Sequence, residues 1–552
     1  MIGWARADAL SSKPPSIEPT SAANMPPSTV RPPSLGSGRL HFLVPSVSDV
    51  FYIAILVGLS CGALGRLLLR DASIGWHIRN GELILFSHTI TRTDPFSASI
   101  HGGTWYAWEW LYDLLIAVIH YTLGLNGVVF FSAAIIAASF VLTLHFAVRR
   151  GGNLAIVIFL LLLSLGASSV HFLARPHVFS WLLTVIWFEA LDSAANSHGK
   201  RLIALFGLPL LMILWVNLHG GYVLGFVLLA IYLVDGFIRY FAAPDRREQT
   251  QSWVKRLGMV TLLSFAASFV NPYGYQLHVH VYRYLSDRYL MNRISEFLSP
   301  DFHIPAQQCF AVLLLITIVA LASARRGITP ARLLVVLFAA YSGLYATRDL
   351  PTSSLLITLI IAPMLSQSVL EASGDSRISS WLRRCFSRLH SFGSRMGNLE
   401  LNFSDHFWLV VIFLLGFWAC MYSGRIGSAQ FINAYFDEKR FPVEAVDFIA
   451  KQKIRAPIFS LDYWGGYLIY GLYPQNKVVV DDRHDLYGDQ FIKDYLKVTF
   501  IQPGWDKILE QEHVNWVLMP PGSTLANMLR LKSDWKIVHE DSVAVLFQRS
   551  GT

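Results

Sequence analysis

Charge is what this chain has least of. Asp, Glu, Lys and Arg make up only 15% of its 552 residues, against roughly 25% in an ordinary soluble domain. With 53% hydrophobic residues and a mean hydropathy of +0.44, a fully soluble protein is excluded. Cysteine is also scarce. Cys61, Cys309 and Cys420 lie in apolar runs and Cys385 in a basic stretch, so neither a disulfide framework nor a zinc site is expected. No P-loop and no GxGxxG turn is present, so no nucleotide site is expected. Residues 1–46 contain Pro- and Ser-rich stretches (KPPSIEP, MPPSTVRPPSLGSG) and no apolar run. They read as a disordered cytoplasmic tail and not as a signal peptide, which requires an apolar segment before a small-residue cleavage site. The net charge of +8 is not carried by a basic, aromatic-interleaved patch, so nucleic acid is not an expected partner.

Long apolar runs dominate residues 47–424. A helix crossing about 30 Å of hydrocarbon needs about 20 apolar residues. Runs of that quality lie at 48–69, 127–148, 153–171, 177–193, 201–217, 222–241, 254–270, 306–323, 329–346, 351–369 and 406–424. A further stretch at 108–124 is short and carries Glu109 and Asp113. Lys and Arg recur at every second loop: Arg149-Arg150, Lys200-Arg201, Arg239 to Arg256, Arg325-Arg326, and Arg377 to Arg395 in the basic loop 371–404. By the positive-inside bias those loops are cytoplasmic. A cytoplasmic N-terminus then requires 108–124 to be a juxtamembrane helix at the outer face. Eleven spans remain, and the C-terminal region falls outside. The fold class expected is therefore a polytopic α-helical membrane protein with an extracytoplasmic α/β domain over 430–552.

Within that domain VEAVDFIAKQ reads as an amphipathic helix, with further helices near 489–498 and 504–512. PIFSL, KVVVDD and VNWVLM read as strands, and WKIVHE and VAVLFQ as a hairpin. Asp481, Asp482 and Arg483 sit at the carboxyl end of KVVVDD, where open α/β sheets favour ligands, but they are expected rather to cap and brace a turn.

The same topology gathers polar residues on the outer side. The first outer loop, 70–107, begins with Asp71 and continues through His77, Arg79, Glu82, Arg92 and Asp94, with Glu109 just beyond. A carboxylate beside Arg and His suits a general base acting on a hydroxyl, and the Arg and His side chains suit a phosphate. ARPH (174–177), WVNLHGGY (215–222), NPYG (271–274) and TRDLP (347–351) arrive on that side too. Pro176 and Pro272 can end helices, Gly220 and Gly221 can permit close packing, and Asn217 and Asn271 can cap. Arg175, His177, His219 and Arg348 fit such roles poorly, because ionisable groups near bilayer depth are costly and tend to line functional cavities.

The ordered set D…WH…G (Asp71, Trp76, His77, Gly81), TDPFS (93–97), W…EWL (105–111), ARPH, WVNLHGGY, NPYG and SEFLSPDF (295–302) resembles a bacterial membrane-protein family of the GT-C superfamily. WGGYLIY (464–470), VVDDRHDLYG (479–488) and Y…PGW (495–505) extend the resemblance, which covers about 47–550. It is similar to polyprenyl-phosphate-sugar-dependent transferases related to protein mannosyltransferases. The resemblance implies transfer of a sugar from a polyprenyl-phosphate-linked donor to an acceptor hydroxyl on a glycan, lipid or protein, at the outer face of a bacterial cytoplasmic membrane. It implies Asp71 as catalytic carboxylate, with Glu109 or Asp94 in support. It also implies a donor site drawn from His77, Arg79, Arg175, His177, Asn217, His219, Asn271, Tyr273 and Arg348. No metal ligands are assigned, and dependence on a divalent metal stays open. The chain departs from the family pattern in several places. Ser73 stands where a second acid is common, Gly75-Trp76 where tandem tryptophans are common, and Trp108 and Asp349 where His is common. If two acids are required, Glu109, Asp94 or Asp113 must supply the second. Two other classes remain open: a transporter or flippase of lipid-linked intermediates, and a non-catalytic envelope scaffold.

Overall fold

Each long apolar run forms helix in the computed structural model, which describes residues 43–100, 102–195, 202–325, 327–402 and 406–550. The tail expected over 1–46 lies almost wholly outside the described residues, as do Lys200 and Arg201. Among the described residues six helices are long and apolar enough to cross a membrane: Trp110–Arg149, Leu154–His171, His177–Ala195, Gly220–Ala242, Pro305–Ser323 and Thr347–Gly374. Four shorter apolar helices accompany them, Val47–Ser60, Leu208–Leu218, Pro330–Tyr345 and Phe407–Met421. The run at 254–270 lies largely on the Arg247–Ala267 helix, whose first turns are polar. The chain is a polytopic helical membrane protein with a small C-terminal sheet.

One expectation about the spans changes. The first run is not one helix: Cys61 is extended and Gly62 has φ +64°, so Val47–Ser60 is followed by a separate Gly62–Leu67 turn of helix. The 108–124 segment stays distinct from the next span: the Trp110–Arg149 stretch breaks where Gly124 adopts φ 63°, a conformation that costs glycine little. Within the loop 70–107, Ser73–Ser87 is helical.

In lipid the tails outside are as apolar as the side chains inside, so association rests on close packing and interhelical hydrogen bonds. Trp181, Trp187 and Trp215 are fully buried between helices, and Trp215 Nε1 donates to Ser180 Oγ at 2.8 Å. Ser164 and Thr358 hydroxyls meet at 2.9 Å across two spans. At the end of the His177–Ala195 helix, Asp192 takes Arg332 at 2.8 Å and Arg150 at 3.2 Å. Three segments are thereby pinned at the end of the bundle away from His177.

The C-terminal part holds a hairpin of β1 (Arg425–Ile426) and β2 (Ala429–Gln430) and then a sheet of β3 (Ile458–Phe459), β4 (Trp516–Met519), β5 (Trp535–Glu540) and β6 (Val545–Arg549). The sheet order is β3-β4-β6-β5, with β3 parallel to β4 and the other pairs antiparallel. The expected β5–β6 hairpin is present, as are helices Val443–Lys451, His484–Thr499 and Trp505–Gln511. KVVVDD is not a ladder strand. Val478 instead makes single bridges to Ile458 on one side and Ser97 on the other. Its N–H donates to Phe96 O at 3.1 Å, and its carbonyl accepts from Ala98 N at 2.8 Å. The loop 70–107 is thus stitched to the sheet by backbone.

A helix absent from the expectations, Asp462–Leu472, carries WGGYLIY and packs on Ser73–Ser87. The backbones touch: a Cβ on Gly466 would stand 2.2 Å from Ala72 O, and one on Gly75 2.2 Å from Gly466 O. That contact accounts for Gly75 where the family pattern favours tryptophan, since a side chain there would push the two helices apart.

Candidate active site

Where the bundle meets this C-terminal layer lies a cavity of about 410 Å³, lined by residues from both. Trp76, Trp105 and Trp108 form an aromatic wall, and Arg175, His177, His219 and Arg348 contribute nitrogen groups. Glu109, Asp113, Glu296, Asp482 and Asp485 contribute carboxylates. The ARPH motif opens a helix here, while LHGG and TRD follow the ends of two others, so three short breaks between spans deliver their polar residues to one place.

Two chains of contacts organise it. Along one wall Arg175 Nη1 lies 3.1 Å from Asp71 Oδ2 and 3.5 Å from Glu296 Oε2, while Arg348 Nη1 lies 3.7 Å from Glu296 Oε1. Burial alone would raise Glu296, but the two guanidinium groups hold it down at about 2. Asp71, which also accepts from the Ser73 N–H at 2.9 Å, is likewise held below its ordinary value against the effect of burial. Ser73, standing where a second acid was anticipated, thus serves the first acid as a backbone donor.

The second chain centres on Glu109. Its Oε2 lies 3.8 Å from His77 Nε2 and its Oε1 3.6 Å from His219 Nε2. His77 Nδ1 meets Asp113 Oδ1 at 2.5 Å, and Asn80 Nδ2 donates to the other oxygen of Asp113 at 2.6 Å. His219 Nδ1 accepts from Gly221 N at 3.0 Å, so its proton belongs on Nε2, facing Glu109. Burial, then the neighbouring Asp113, pushes Glu109 well above the usual carboxylate range. A carboxyl between two imidazoles can give or take a proton within the cavity.

Asp482 follows the ligand-site alternative for its segment and not the turn-bracing role. The turn-bracing role belongs to its neighbours: Arg483 donates to Asp481 from Nε at 2.8 Å and to Asp94 from Nη1 at 2.8 Å, all three side chains being buried. Asp482 turns instead to the cavity, accepting from Trp76 Nε1 at 3.0 Å. Burial, then Asp71, then Asp481 push it up to about 7. Glu296 was also not singled out, although it lies in the SEFLSPDF motif.

Of the anticipated residues, Glu109, Arg175, His177, His219 and Arg348 line the cavity; Asp71 and His77 stand directly behind it. The others lie elsewhere. Asp94 is occupied by Arg483, and Arg79 by Glu82 at 2.6 Å and the Tyr470 carbonyl at 3.0 Å. Asn217 accepts from Trp110 Nε1 at 2.7 Å, and Asn271 accepts from Tyr273 N at 2.9 Å within its turn. Both asparagines border a separate, shallow apolar groove. Tyr273 Oη accepts from Ala107 N and donates to Thr91 O, both at 2.9 Å, fastening the outer loop. Among the described residues one trio has metal-ligand spacing, Glu444, His539 and Asp541, and none of the three lines the cavity.

By sequence, no family model matches the chain, and a search of curated proteins finds no match. By structure, the chain is similar to the oligosaccharyltransferase AglB from Archaeoglobus fulgidus, determined with an inhibitory peptide and a dolichol-phosphate. Identity is 12% and TM-score 0.53, over 87% of this chain and 69% of that one. The apo form of the Archaeoglobus fulgidus oligosaccharyltransferase gives 11% identity and TM-score 0.53 over the same shares. ArnT from Cupriavidus metallidurans, in the apo state, gives 12% identity and TM-score 0.43 over 91% of this chain and 96% of that one. The fold built here from apolar runs, a partly helical loop over 70–107 and a C-terminal α/β layer is shared with that oligosaccharyltransferase.

Proposed function

We propose that the protein is a membrane glycosyltransferase that moves a sugar from a polyprenyl-phosphate-linked donor to an acceptor hydroxyl at the outer face of the membrane. The observation that carries this reading is the row Asp71–Arg175–Glu296–Arg348 along the cavity wall. It sets paired cations beside a carboxylate, as displacement of a phosphate by a hydroxyl requires. The oligosaccharyltransferase with the shared fold, whose structure holds a dolichol-phosphate, supports a lipid-phosphate donor.

In the proposed reaction the acceptor oxygen bonds to the anomeric carbon from the face opposite the phosphate, and configuration inverts. The bond from that carbon to the phosphate oxygen breaks, and polyprenyl phosphate leaves with the bonding pair. Arg175 and Arg348 neutralise the charge that develops on the phosphate. The hydroxyl proton passes to Asp71. Engagement of Arg175 by phosphate loosens its hold on Asp71, so donor binding and release of the base are one event. Glu109, between His77 and His219, orients the acceptor. The test is label transfer from radiolabelled polyprenyl-phosphate sugars to envelope acceptors by the purified protein in lipid, beside Asp71→Asn. Transfer by the parent alone supports the reading. Equal transfer by both removes Asp71 from the chemistry, and no transfer from any donor by the folded parent favours a scaffold.

A further inference from the structure

The helix Ser380–Asn402 closes the bundle at the end remote from the cavity. It packs on Leu154–Ser168 and Leu350–Gly374. The first of these reaches the cavity at its far end through His171, and the second begins beside Arg348 and Asp349. Contacts fix it as a crossbar. Asn153 Nδ2 donates to His390 O at 3.0 Å, Gly393 lies against Asn153, and Glu400 accepts the N–H groups of Val47 and Ser48 at 2.7 and 3.1 Å. Glu400 thereby caps the first span, where helix N–H groups favour a negative charge.

Among the described residues nothing covers its other faces. Trp381 is 64% exposed and Phe392 58%, with Leu382 and Leu389 exposed beside them. At 100° per residue these apolar residues share one side, and exposed Arg384, Arg388 and Arg395 form a stripe along its border. Among the described residues these guanidinium groups meet no carboxylate; Arg395 donates only to its own helix, at Ser391 O. The nearby acids are engaged elsewhere, Asp375 by Arg325 and Arg377, and Glu400 by the first span. An apolar face bordered by arginines, lying across the ends of spanning helices, matches the boundary between acyl chains and headgroups.

We infer that Ser380–Asn402 is an interfacial helix that binds anionic phospholipid headgroups through Arg384, Arg388 and Arg395, on the leaflet opposite the cavity. The apolar side chains enter the acyl layer while the arginines hold the phosphates above it. This reading is independent of the transfer reaction.

The full-length protein, reconstituted in vesicles of phosphatidylglycerol and phosphatidylcholine and then released into native mass spectrometry, tests the inference. The parent is expected to retain phosphatidylglycerol in preference, with the preference falling as salt rises. The variant Arg384→Gln/Arg388→Gln/Arg395→Gln is expected to lose about fivefold in relative affinity per arginine, on the order of a hundredfold in all. Because all three sites are exposed, its melting point in detergent should match the parent's, which separates lost binding from lost folding. Equal retention of both lipids by the parent, or undiminished preference in the folded variant, overturns the inference and leaves the face to an acidic protein segment.

Discussion

Asp71 meets the cavity through Arg175, whose Nη1 stands 3.1 Å from the Asp71 carboxylate. The carboxylate is thus ionised and occupied until a stronger anion draws the guanidinium away. Asp71→Asn is expected to lower sugar transfer by about 10²–10⁴-fold, the usual worth of a positioned base. Donor binding should survive, because Arg175 and Arg348 remain. Separate measurement of label transfer and donor affinity checks this, and a joint loss of both would place Asp71 in binding rather than in chemistry.

Arg348 shares Glu296 with Arg175 but does not hold Asp71. Arg348→Gln removes one charged hydrogen-bond donor from the phosphate, worth about 1.5–3 kcal/mol. The KM for donor should therefore rise on the order of tenfold to a hundredfold, with a smaller change in kcat. Arg175→Gln should raise KM and lower kcat together, because it also strands two carboxylates. Steady-state kinetics with varied donor distinguishes the pair.

Asp482 stands at about 7 in the folded protein, above its ordinary value of 3.8. A raised carboxyl favours the fold while both states are protonated. That contribution is lost as pH rises from the unfolded value through the folded one, after which the deficit is constant. Asp482→Asn removes the titration. Its melting point should track the parent's near about pH 4 and exceed it near about pH 8. A difference independent of pH would show that Asp482 is not the titrating group.

Asp94, Asp481 and Arg483 form a buried ionic node that joins the first outer loop to the C-terminal layer. Removing one member leaves the others uncompensated, at a cost of about 3–5 kcal/mol. Asp94→Ala should therefore lower the melting point sharply, with activity falling only as far as folded protein is lost. Replacing the node together, as Asp94→Leu/Asp481→Leu/Arg483→Met, should recover much of the stability. Failure of the triple variant to recover would show that the charges have a role beyond mutual compensation.

The spans were legible because burial in lipid leaves a plain record: about 20 apolar residues in a row. The break at Gly124 was legible too, since the short acid-bearing stretch 108–124 and the run 127–148 part there. KVVVDD reads as a strand by its β-branched residues, yet a buried extended segment flanked by single bridges has the same composition. The cavity was legible in Arg175, His177, His219 and Arg348 because ionisable groups at the ends of spanning helices have no good structural use there. Asp482 was not, because Asp481, Asp482 and Arg483 are adjacent and only the turn decides which of them braces and which faces inward. Asn217 and Asn271 misled for the converse reason: an amide suits a backbone carbonyl as well as a sugar.

The node between Asp94 and Arg483 spans 389 positions of chain. During synthesis the loop bearing Asp94 leaves the ribosome long before its partner exists. Contacts of such separation form late. The loop must wait, with an acid that has no counterion, until the segment bearing Arg483 has been made. The helical bundle can therefore assemble during synthesis, but the wall that carries Trp76 and Trp105 is finished last. A chain arrested before its closing segment would sit in the membrane as a bundle whose chemistry had never been assembled.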